Sequence, residues 1–185
     1  MATTPSIATT PDTRLQQLLP QLFQPETQSG ERYLKFDIAP NLPALIALED
    51  VQESAQVPSH RITPLPNLPA CILGLMNVRN QVLCIVDLAQ VLQIPTLWSH
   101  RQDYSVVTIR LASTPETAEE TNLLSLMLHD IQGIVRLQPE AIESSVDAFV
   151  PTLMPFLQGC VVQGAKSLPI LDVNAIAAAP ALKPL

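Results

Sequence analysis

The chain has 185 residues, of which 47% are hydrophobic and 15% charged, so one domain with tails and a substantial core is expected. Seventeen acidic residues outnumber ten Lys and Arg, and the net charge of −7 argues against nucleic acid or an anionic membrane as the main partner. No apolar run is long enough for direct membrane insertion, and the first residues lack the basic start and apolar centre of a signal peptide. The expected location is therefore the cytoplasm.

Residues 1–30 are predicted to form a flexible N-terminal arm, because Thr, Ser, Pro and Gln dominate their composition. Five apolar residues within it recur at the spacing of one helix face, and we call them the docking stripe: Leu15, Leu18, Leu19, Leu22 and Phe23. Pro20 interrupts this short amphipathic helix and should kink or split it. The stripe is expected either to pack back on the domain, which we favour, or to dock on a partner.

The body of the domain is expected to begin with a half-buried strand, since polar and apolar residues alternate over residues 33–38. A turn at 41–43 leads into a second predicted strand over 44–48. Residues 49–54 are expected to form a helical turn or a bend. Four prolines in the segment 57–69 then predict an extended loop.

A hairpin over residues 71–87 is the element around which the rest of the chain is organised. Four residues of its first strand are expected to share one face: Ile72, Gly74, Met76 and Val78. The second strand, 82–86, is apolar on both faces and should therefore lie inside a sheet rather than at its edge. Arg79, Asn80 and Gln81 must reverse the chain, and Asn80 can adopt the positive φ that such a turn requires.

Asp87 ends the second strand and is a candidate N-cap for a short helix, with Gln90 at the capping-box position three residues later. The same spacing recurs near the C-terminus, where residues 159–172 repeat the pattern of residues 74–87. Asp172 stands there in the place of Asp87. This repeat predicts a domain built from two similar β lobes.

The remaining segments continue the β pattern. Strands are expected over 104–111 and 123–128, joined by a polar and acidic loop, and β character returns over 131–137. A short helix is expected over 139–144. Residues 179–185, rich in Ala and Pro, should fray.

A search for catalytic, cofactor-binding and metal-binding motifs identifies none. The five glycines form neither a GxGxxG nor a phosphate loop, and there is no CxxC, HExxH or GxSxG. His129 and Asp130 with Ser125 are better explained as strand-end residues than as a hydrolase remnant. Three cysteines lie in apolar runs without paired spacing: Cys71, Cys84 and Cys160. They are expected to be buried, reduced thiols, and Cys84 in particular should react slowly with alkylating reagents.

The segments 73–80 (LGLMNVRN) and 82–88 (VLCIVDL) resemble the signature of the CheW-like coupling domain, in which an Asn-Leu-Arg-Gly turn precedes an apolar strand ending in Asp-Leu. The likeness extends in order over residues 31–178. It implies a mainly β fold of two SH3-like, five-stranded β-barrel lobes with short helices. The sequence departs from the family at two positions: Asn80 replaces the usual Gly, and Ser54 stands where an apolar residue is more frequent.

The resemblance implies a non-catalytic adaptor that couples a methyl-accepting chemoreceptor to a CheA-type histidine kinase and is recruited to membrane receptor arrays. The partner-binding residues that it implies are Val51, Gln52, Glu53, Asn77, Arg79 and Asn80. The first three match the family segment that meets the helical tip of the receptor. The long arm and the proline-rich, glycine-poor composition are similar to couplers of type IV pilus twitching or phototaxis systems.

Two other functions stay open on the sequence. One is an SH3-like regulatory module that tethers a response regulator through the arm, outside a receptor array. The other is a hydrolase-like enzyme on an unfamiliar β barrel, which would require a turnover that is lost in His129→Ala. Neighbouring genes for a receptor and a CheA-type kinase would favour the adaptor.

Overall fold

The computed structural model describes residues 30–78, 81–95, 102–111, 122–144, 149–164 and 166–182. Within these ranges the chain forms eleven strands and two short α-helices. The strands are β1 Glu31–Ala39, β2 Leu42–Ala47, β3 Val51–Pro58, β4 Ile72–Val78, β5 Gln81–Asp87, β6 Asp103–Arg110, β7 Leu123–Leu128, β8 Asp130–Leu137, β9 Ile142–Glu143, β10 Leu157–Gln163 and β11 Lys166–Leu171. The helices are α1 Leu88–Val91 and α2 Val173–Ala177. The 3-10 turns are Leu48–Asp50, Ser59–Arg61, Pro139–Ala141, Met154–Phe156 and Pro180–Leu182.

The strands form two sheets, each the framework of one lobe. The first lobe has the strand order β8-β1-β2-β11-β10-β9, and the second lobe has the order β3-β6-β7-β5-β4. The expected mainly β, two-lobed fold is therefore confirmed. The first sheet has six strands rather than five because the two-residue strand β9 adds to the edge of β10.

The largest hydrophobic core draws side chains from both lobes and so joins them. It contains residues of β1 and β2 on one side and of β6 and β7 on the other, among them Leu34, Phe36, Ile46, Val107, Ile109 and Leu126. Both helices close it through Leu88 and Ile176, which are fully buried. Each large apolar side chain buried here stabilises the fold by about 1.5–3 kcal/mol before entropic costs are counted. Smaller cores lie inside each lobe, one around Leu45 and Ile170 and the other around Ile85 and Met127.

The predicted repeat is present, and its two copies exchange strands. The pairing of β1 with β2 and β8 in the first lobe matches the pairing of β6 with β7 and β3 in the second. Likewise β11 pairs in parallel with β2 and antiparallel with β10, as β5 does with β7 and β4. The first half of the chain, β1–β5 with α1, is thus repeated by the second half, β6–β11 with α2. Each lobe takes strands from both halves.

Both predicted N-caps are confirmed. The fully buried Asp87 accepts hydrogen bonds from the Gln90 backbone N–H at 3.2 Å and from Gln90 Nε2 at 2.8 Å. Asp172 accepts from the backbone N–H groups of Asn174 at 2.8 Å and Ala175 at 3.1 Å. Each aspartate satisfies amide groups that would otherwise lack acceptors at the start of a helix.

Strand β5 lies inside its sheet, between β7 and β4, as its two apolar faces predicted. Val82, at its beginning, is nevertheless 65% exposed. The predicted hairpin turn at Arg79 and Asn80 lies outside the described residues, as do the acidic loop between β6 and β7 and the docking stripe.

Three predictions were wrong in whole or in part. The segment 49–54 was expected to form a helical turn or a bend: a 3-10 turn is present at Leu48–Asp50, but from Val51 the chain forms the edge strand β3. Residues 179–182 do not fray, because Ala179 is buried and the turn Pro180–Leu182 packs on the main core. In this turn the Ala181 carbonyl accepts a 3.1 Å hydrogen bond from Cys71 Sγ. Cys84 is half-buried rather than buried, although Cys71 and Cys160 are buried as predicted.

Candidate partner-binding site

The segment Val51–Glu53 opens β3, where a β-bulge at Gln52 separates two differently directed side chains. Val51 pairs with Ile109 and packs against the main core, whereas Glu53 pairs with Thr108 on the opposite face of the sheet. The bulge is the reason that residues two positions apart face opposite ways, since an uninterrupted strand would place them on the same face. Val51 is therefore mainly a packing residue in this structure.

Glu53 lines a cleft of about 300 Å³ in the second lobe. The apolar part of the lining comes from three strands and includes Ala55, Val57, Met76, Val78 and Val106. Glu53 and Arg61 contribute opposite charges to the same lining. The cleft thus combines an apolar floor with charged groups, which is a pattern suited to holding one apolar side chain of a protein partner.

The curl of the second sheet creates this cleft. Strands β3 and β4 are its two edges, separated by three other strands, yet both line the same cavity. The contact between Thr63 and Leu75 helps to fix this arrangement, because the segment after β3 forms a two-way backbone bridge to β4, with N···O distances of 2.8 and 2.9 Å. Residues far apart in sequence, Glu53 and Val78, are brought together in this way.

The predicted site residues on the hairpin are only partly placed by the structure. Arg79 and Asn80 lie outside the described residues, directly after Val78, which lines the cleft. Asn77 is exposed and alternates with Met76 and Val78, so it faces away from the cleft. The structure therefore brings together Glu53 and the end of β4, but not Val51 or Asn77.

Gln52 is exposed, and its Oε1 accepts a hydrogen bond from the Arg110 guanidinium of β6. Two acidic residues, Glu49 and Asp50, lie just before this strand, in the 3-10 turn Leu48–Asp50. Burial raises the pKa of Asp50, with Glu49 and Asp172 adding to the effect and Arg110 opposing it. Arg110 thus serves both as a donor to Gln52 and as a counter-charge for Asp50.

The sequence interpretation missed most of the cleft. Arg61, Val57 and Val106 were not identified as site residues, because no local pattern shows that β3, β4 and β6 enclose one cavity. A partial signal existed in the hairpin, where Met76 and Val78 were predicted on one face of β4. Residues 31–95 contain both edge strands of the second sheet, β3 and β4. Only the curl of that sheet shows that both strands line one cleft.

The described residues also bear on the alternative of an enzyme. Ser125 is fully buried within β7, and its Oγ shares a 3.0 Å hydrogen bond with the Thr108 hydroxyl rather than standing on a strained turn. Burial raises the pKa of the thiols of Cys71, Cys84 and Cys160, which disfavours the reactive thiolate. Among the described residues, no group of three or more His, Cys, Asp or Glu side chains is arranged to hold a metal ion. Nor does the described part of the chain include a helix of the length and apolarity that a membrane crossing needs.

Comparison with known proteins identifies the family to which this two-lobed chain belongs. The family model of the CheW-like domain matches residues 32–181, so the chain belongs to the CheW-like domain family. Among solved structures, the scaffolding protein TtCheW from Thermoanaerobacter tengcongensis matches with a TM-score of 0.68 at 16% sequence identity, covering 85% of this chain and 98% of that one. This likeness shows that the two proteins share a fold. A search of curated proteins found no significant match.

Proposed function

We propose that the protein is a non-catalytic adaptor of a chemotaxis-type signalling system, coupling a methyl-accepting chemoreceptor to a CheA-type histidine kinase. The observation that carries the proposal is membership of the CheW-like domain family over residues 32–181, which is nearly the whole described part of the chain. The buried Ser125 and the raised pKa of the three cysteine thiols give no support to the alternative of a hydrolase-like enzyme. The protein would work by holding two partners together.

The cleft of the second lobe is our candidate for one of these partner surfaces. Its apolar floor would receive an anchor residue from the helical tip of a receptor, and Glu53 and Arg61 would select the charges around that anchor. The family resemblance also assigns Arg79, which follows Val78 in the sequence, to the partner-facing surface. We assign this surface to the receptor because residues 51–53 match the receptor-facing segment of the family.

The test measures binding of purified protein to a receptor signalling fragment and, separately, to the kinase. Glu53→Lys and Arg79→Glu should each weaken receptor binding at least tenfold, because each reverses a charge at the proposed surface. Two matched controls carry the same charge changes elsewhere: Glu140→Lys in the turn Pro139–Ala141, and Lys166→Glu in the β10–β11 hairpin of the first lobe. Both controls should bind as the unmodified protein does.

The pattern of losses separates the possible failures. Loss of kinase binding alone would assign the cleft to the kinase and leave the adaptor function standing. Loss of both partners together with a lowered unfolding temperature would indicate misfolding. If the unmodified protein binds neither fragment, the proposed function itself is wrong. Val51→Asp is not a suitable test, because Val51 packs on the main core and its loss would destabilise the fold.

We further propose that the protein acts in the cytoplasm at membrane receptor arrays and serves a type IV pilus or phototaxis system. The support is compositional: the sequence contains 18 prolines and only five glycines, and a long arm precedes the domain. Deletion of the gene should abolish directed twitching, and a fluorescent fusion should form receptor-dependent clusters. Normal twitching with impaired swimming would assign the protein to a flagellar system instead. No separate observation favours the tethering of a response regulator.

A further inference from the structure

Each lobe carries a β-bulge at the same place in its sheet, and the extra residue is a glutamine in both. In the second lobe it is Gln52 of β3, opposite β6, and in the first lobe it is Gln132 of β8, opposite β1. The residue before each bulge, Val51 or Ile131, packs against the main core. The two bulges are therefore equivalent in position and in orientation.

Each bulge glutamine forms a side-chain hydrogen bond to the neighbouring strand. In the second lobe the Arg110 guanidinium, at the end of β6, donates to Gln52 Oε1. In the first lobe Gln132 Nε2 donates to Asp37 Oδ1 of β1 at 2.8 Å. Arg110 and Asp37 are equivalent, because each directly follows the residue that pairs with the apolar residue before the bulge. We call this repeated contact the glutamine clamp.

The clamp recurs although its charge does not. A glutamine amide has both an acceptor oxygen and a donor nitrogen, so it can bond to a cation in one lobe and to a carboxylate in the other. The shared feature is thus the tie between the bulge and the adjacent strand, rather than the sign of the charge that makes it.

The position of the bulge determines the direction of Glu53. Val51 packs on the main core and Glu53 lines the partner-binding cleft only because one extra residue separates them. A bulge displaced by one residue would turn one of the two side chains to the wrong face. Strand β3 is an edge strand, supported by a neighbour on one side only. A side-chain bond at the bulge is therefore a means of fixing its place.

We propose that Arg110 is a positioning residue of the partner-binding cleft: through its bond to Gln52 it fixes the bulge of β3 and keeps Glu53 directed into the cleft. Neither Arg110 nor Gln52 is among the residues that line the cleft, so the effect is indirect. This assignment rests on the proposed receptor-binding function of the cleft. The positive charge of Arg110 is separable from the clamp, because Asp37 makes the same clamp with a negative charge.

The test compares Arg110→Ala, which removes the clamp, with Arg110→Asp, which copies the first lobe. The fold already places two carboxylates opposite each other at this position, where Asp37 pairs with Asp130. The first measurement is NMR on the full chain without a partner. The nuclear Overhauser contact between the paired residues Glu53 and Thr108 should weaken in Arg110→Ala and persist in Arg110→Asp.

The second measurement is affinity for the receptor signalling fragment. Arg110→Ala and Gln52→Ala should each weaken binding by about two- to tenfold, the range expected for one hydrogen bond. The double variant should bind no more weakly than the weaker single variant, because both changes remove the same contact. Arg110→Asp should bind nearly as the unmodified protein does. Gln132→Ala is the matched control: it removes the clamp of the first lobe and should leave receptor binding unchanged.

Three results would overturn the proposal. Weaker receptor binding by Arg110→Asp than by Arg110→Ala would show that the charge of Arg110 matters and the clamp does not. An unchanged contact between Glu53 and Thr108 in Arg110→Ala would show that the clamp does not fix the bulge. A similar loss of affinity in every variant, with a lowered unfolding temperature, would indicate general destabilisation. If the unmodified protein binds no receptor fragment, the proposed function fails, while the NMR comparison still decides whether Arg110 fixes the bulge.

Discussion

Tyr33 illustrates how a single buried side chain makes the stability of the fold dependent on pH. Its ring is buried in the first lobe, and its hydroxyl donates to Glu31. Burial, followed by the hydrogen bond and the negative charge of Glu31, raises the pKa of Tyr33 from 10.0 to about 12. The folded protein therefore holds the phenol proton more tightly than the unfolded chain does.

The sign of the pH effect follows directly. Below pH 10 the tyrosine is protonated in both states, and its contribution to stability is complete. Between pH 10 and about 12 the unfolded chain ionises while the folded protein does not, so the free energy of unfolding falls as the pH rises. The free energy of unfolding, measured with urea at pH 8 and at pH 11, should fall less between these two pH values in Tyr33→Phe than in the unmodified protein. Equal losses would mean that Tyr33 ionises normally.

Gly74 is required by a close approach of two backbone segments. Its φ is +146°, and a Cβ atom there would lie 2.2 Å from the Thr63 carbonyl oxygen, in the backbone bridge that joins Thr63 to Leu75. Gly133 provides a matched control, because its φ is +132° and a Cβ atom there would meet nothing within 4 Å. The two positions share the backbone strain and differ in the clash.

Gly133→Ala should therefore lower the free energy of unfolding by about 1–3 kcal/mol, the usual cost of such backbone strain. Gly74→Ala should lower the free energy of unfolding by clearly more, because the backbone bridge between Thr63 and Leu75 must also separate. Denaturant unfolding measures both values. If the two substitutions prove equally costly, the contact between Thr63 and Gly74 is not a constraint on the fold.

Single residues were predictable from the sequence where their role is local. Asp87 and Asp172 were identified as caps because a cap needs only the three residues that follow it. The role of Gly74 was not predictable, since it depends on a crossing segment eleven residues earlier. The incomplete burial of Cys84 likewise reflects its position in the sheet rather than its apolar neighbours in sequence.

At the scale of elements, the two helices are too short to be stable alone. Helix α1 has four residues and α2 has five, so packing and the caps must hold them. Asp172→Ala should lower the free energy of unfolding by about 0.5–2 kcal/mol, because the amides of Asn174 and Ala175 lose their acceptor. Asp172→Asn retains an oxygen acceptor and should cost less. Similar losses for both variants would indicate that charge rather than capping is what Asp172 contributes.

The edge strand β3 is the element that the sequence interpretation misplaced. Its sequence, VQESAQVP, contains a polar run and a bulge, and only Val57 within it is buried. Such a segment lacks the alternation of a half-buried strand, since one edge and part of one face are open to solvent. The pairing with β6 supplies the order that the local pattern does not.

At the scale of the whole molecule, the exchange of strands makes the two lobes interdependent. The first lobe needs β1 and β2 from the first half of the chain and β8–β11 from the second, and the second lobe is built in the same mixed way. The sequence repeat between residues 74–87 and 159–172 indicated two similar lobes. It could not indicate the exchange, which depends on the parallel pairing of Ile170 with Leu45 across most of the chain.

This interdependence predicts a single unfolding transition. Met127→Ala removes a buried side chain from the inner core of the second lobe and should cost about 2–5 kcal/mol. Native-state hydrogen exchange should then show an equal loss of protection in β1 of the first lobe and in β7 of the second. A loss confined to β7 would show that the lobes unfold separately.

The strand exchange also imposes an order on synthesis. All strands of the second lobe lie between Val51 and Leu128, so they are all synthesised before the C-terminal third of the chain, which supplies most of the first lobe. The first two strands to emerge, β1 and β2, must wait for β8 and β11, and β11 ends only at Leu171. During that interval the apolar face of β1, with Leu34, Phe36 and Ile38, lacks its final neighbours from the first lobe. A nascent chain stalled shortly before residue 166 should therefore be an efficient substrate for a chaperone, whereas release of the complete chain ends that exposure.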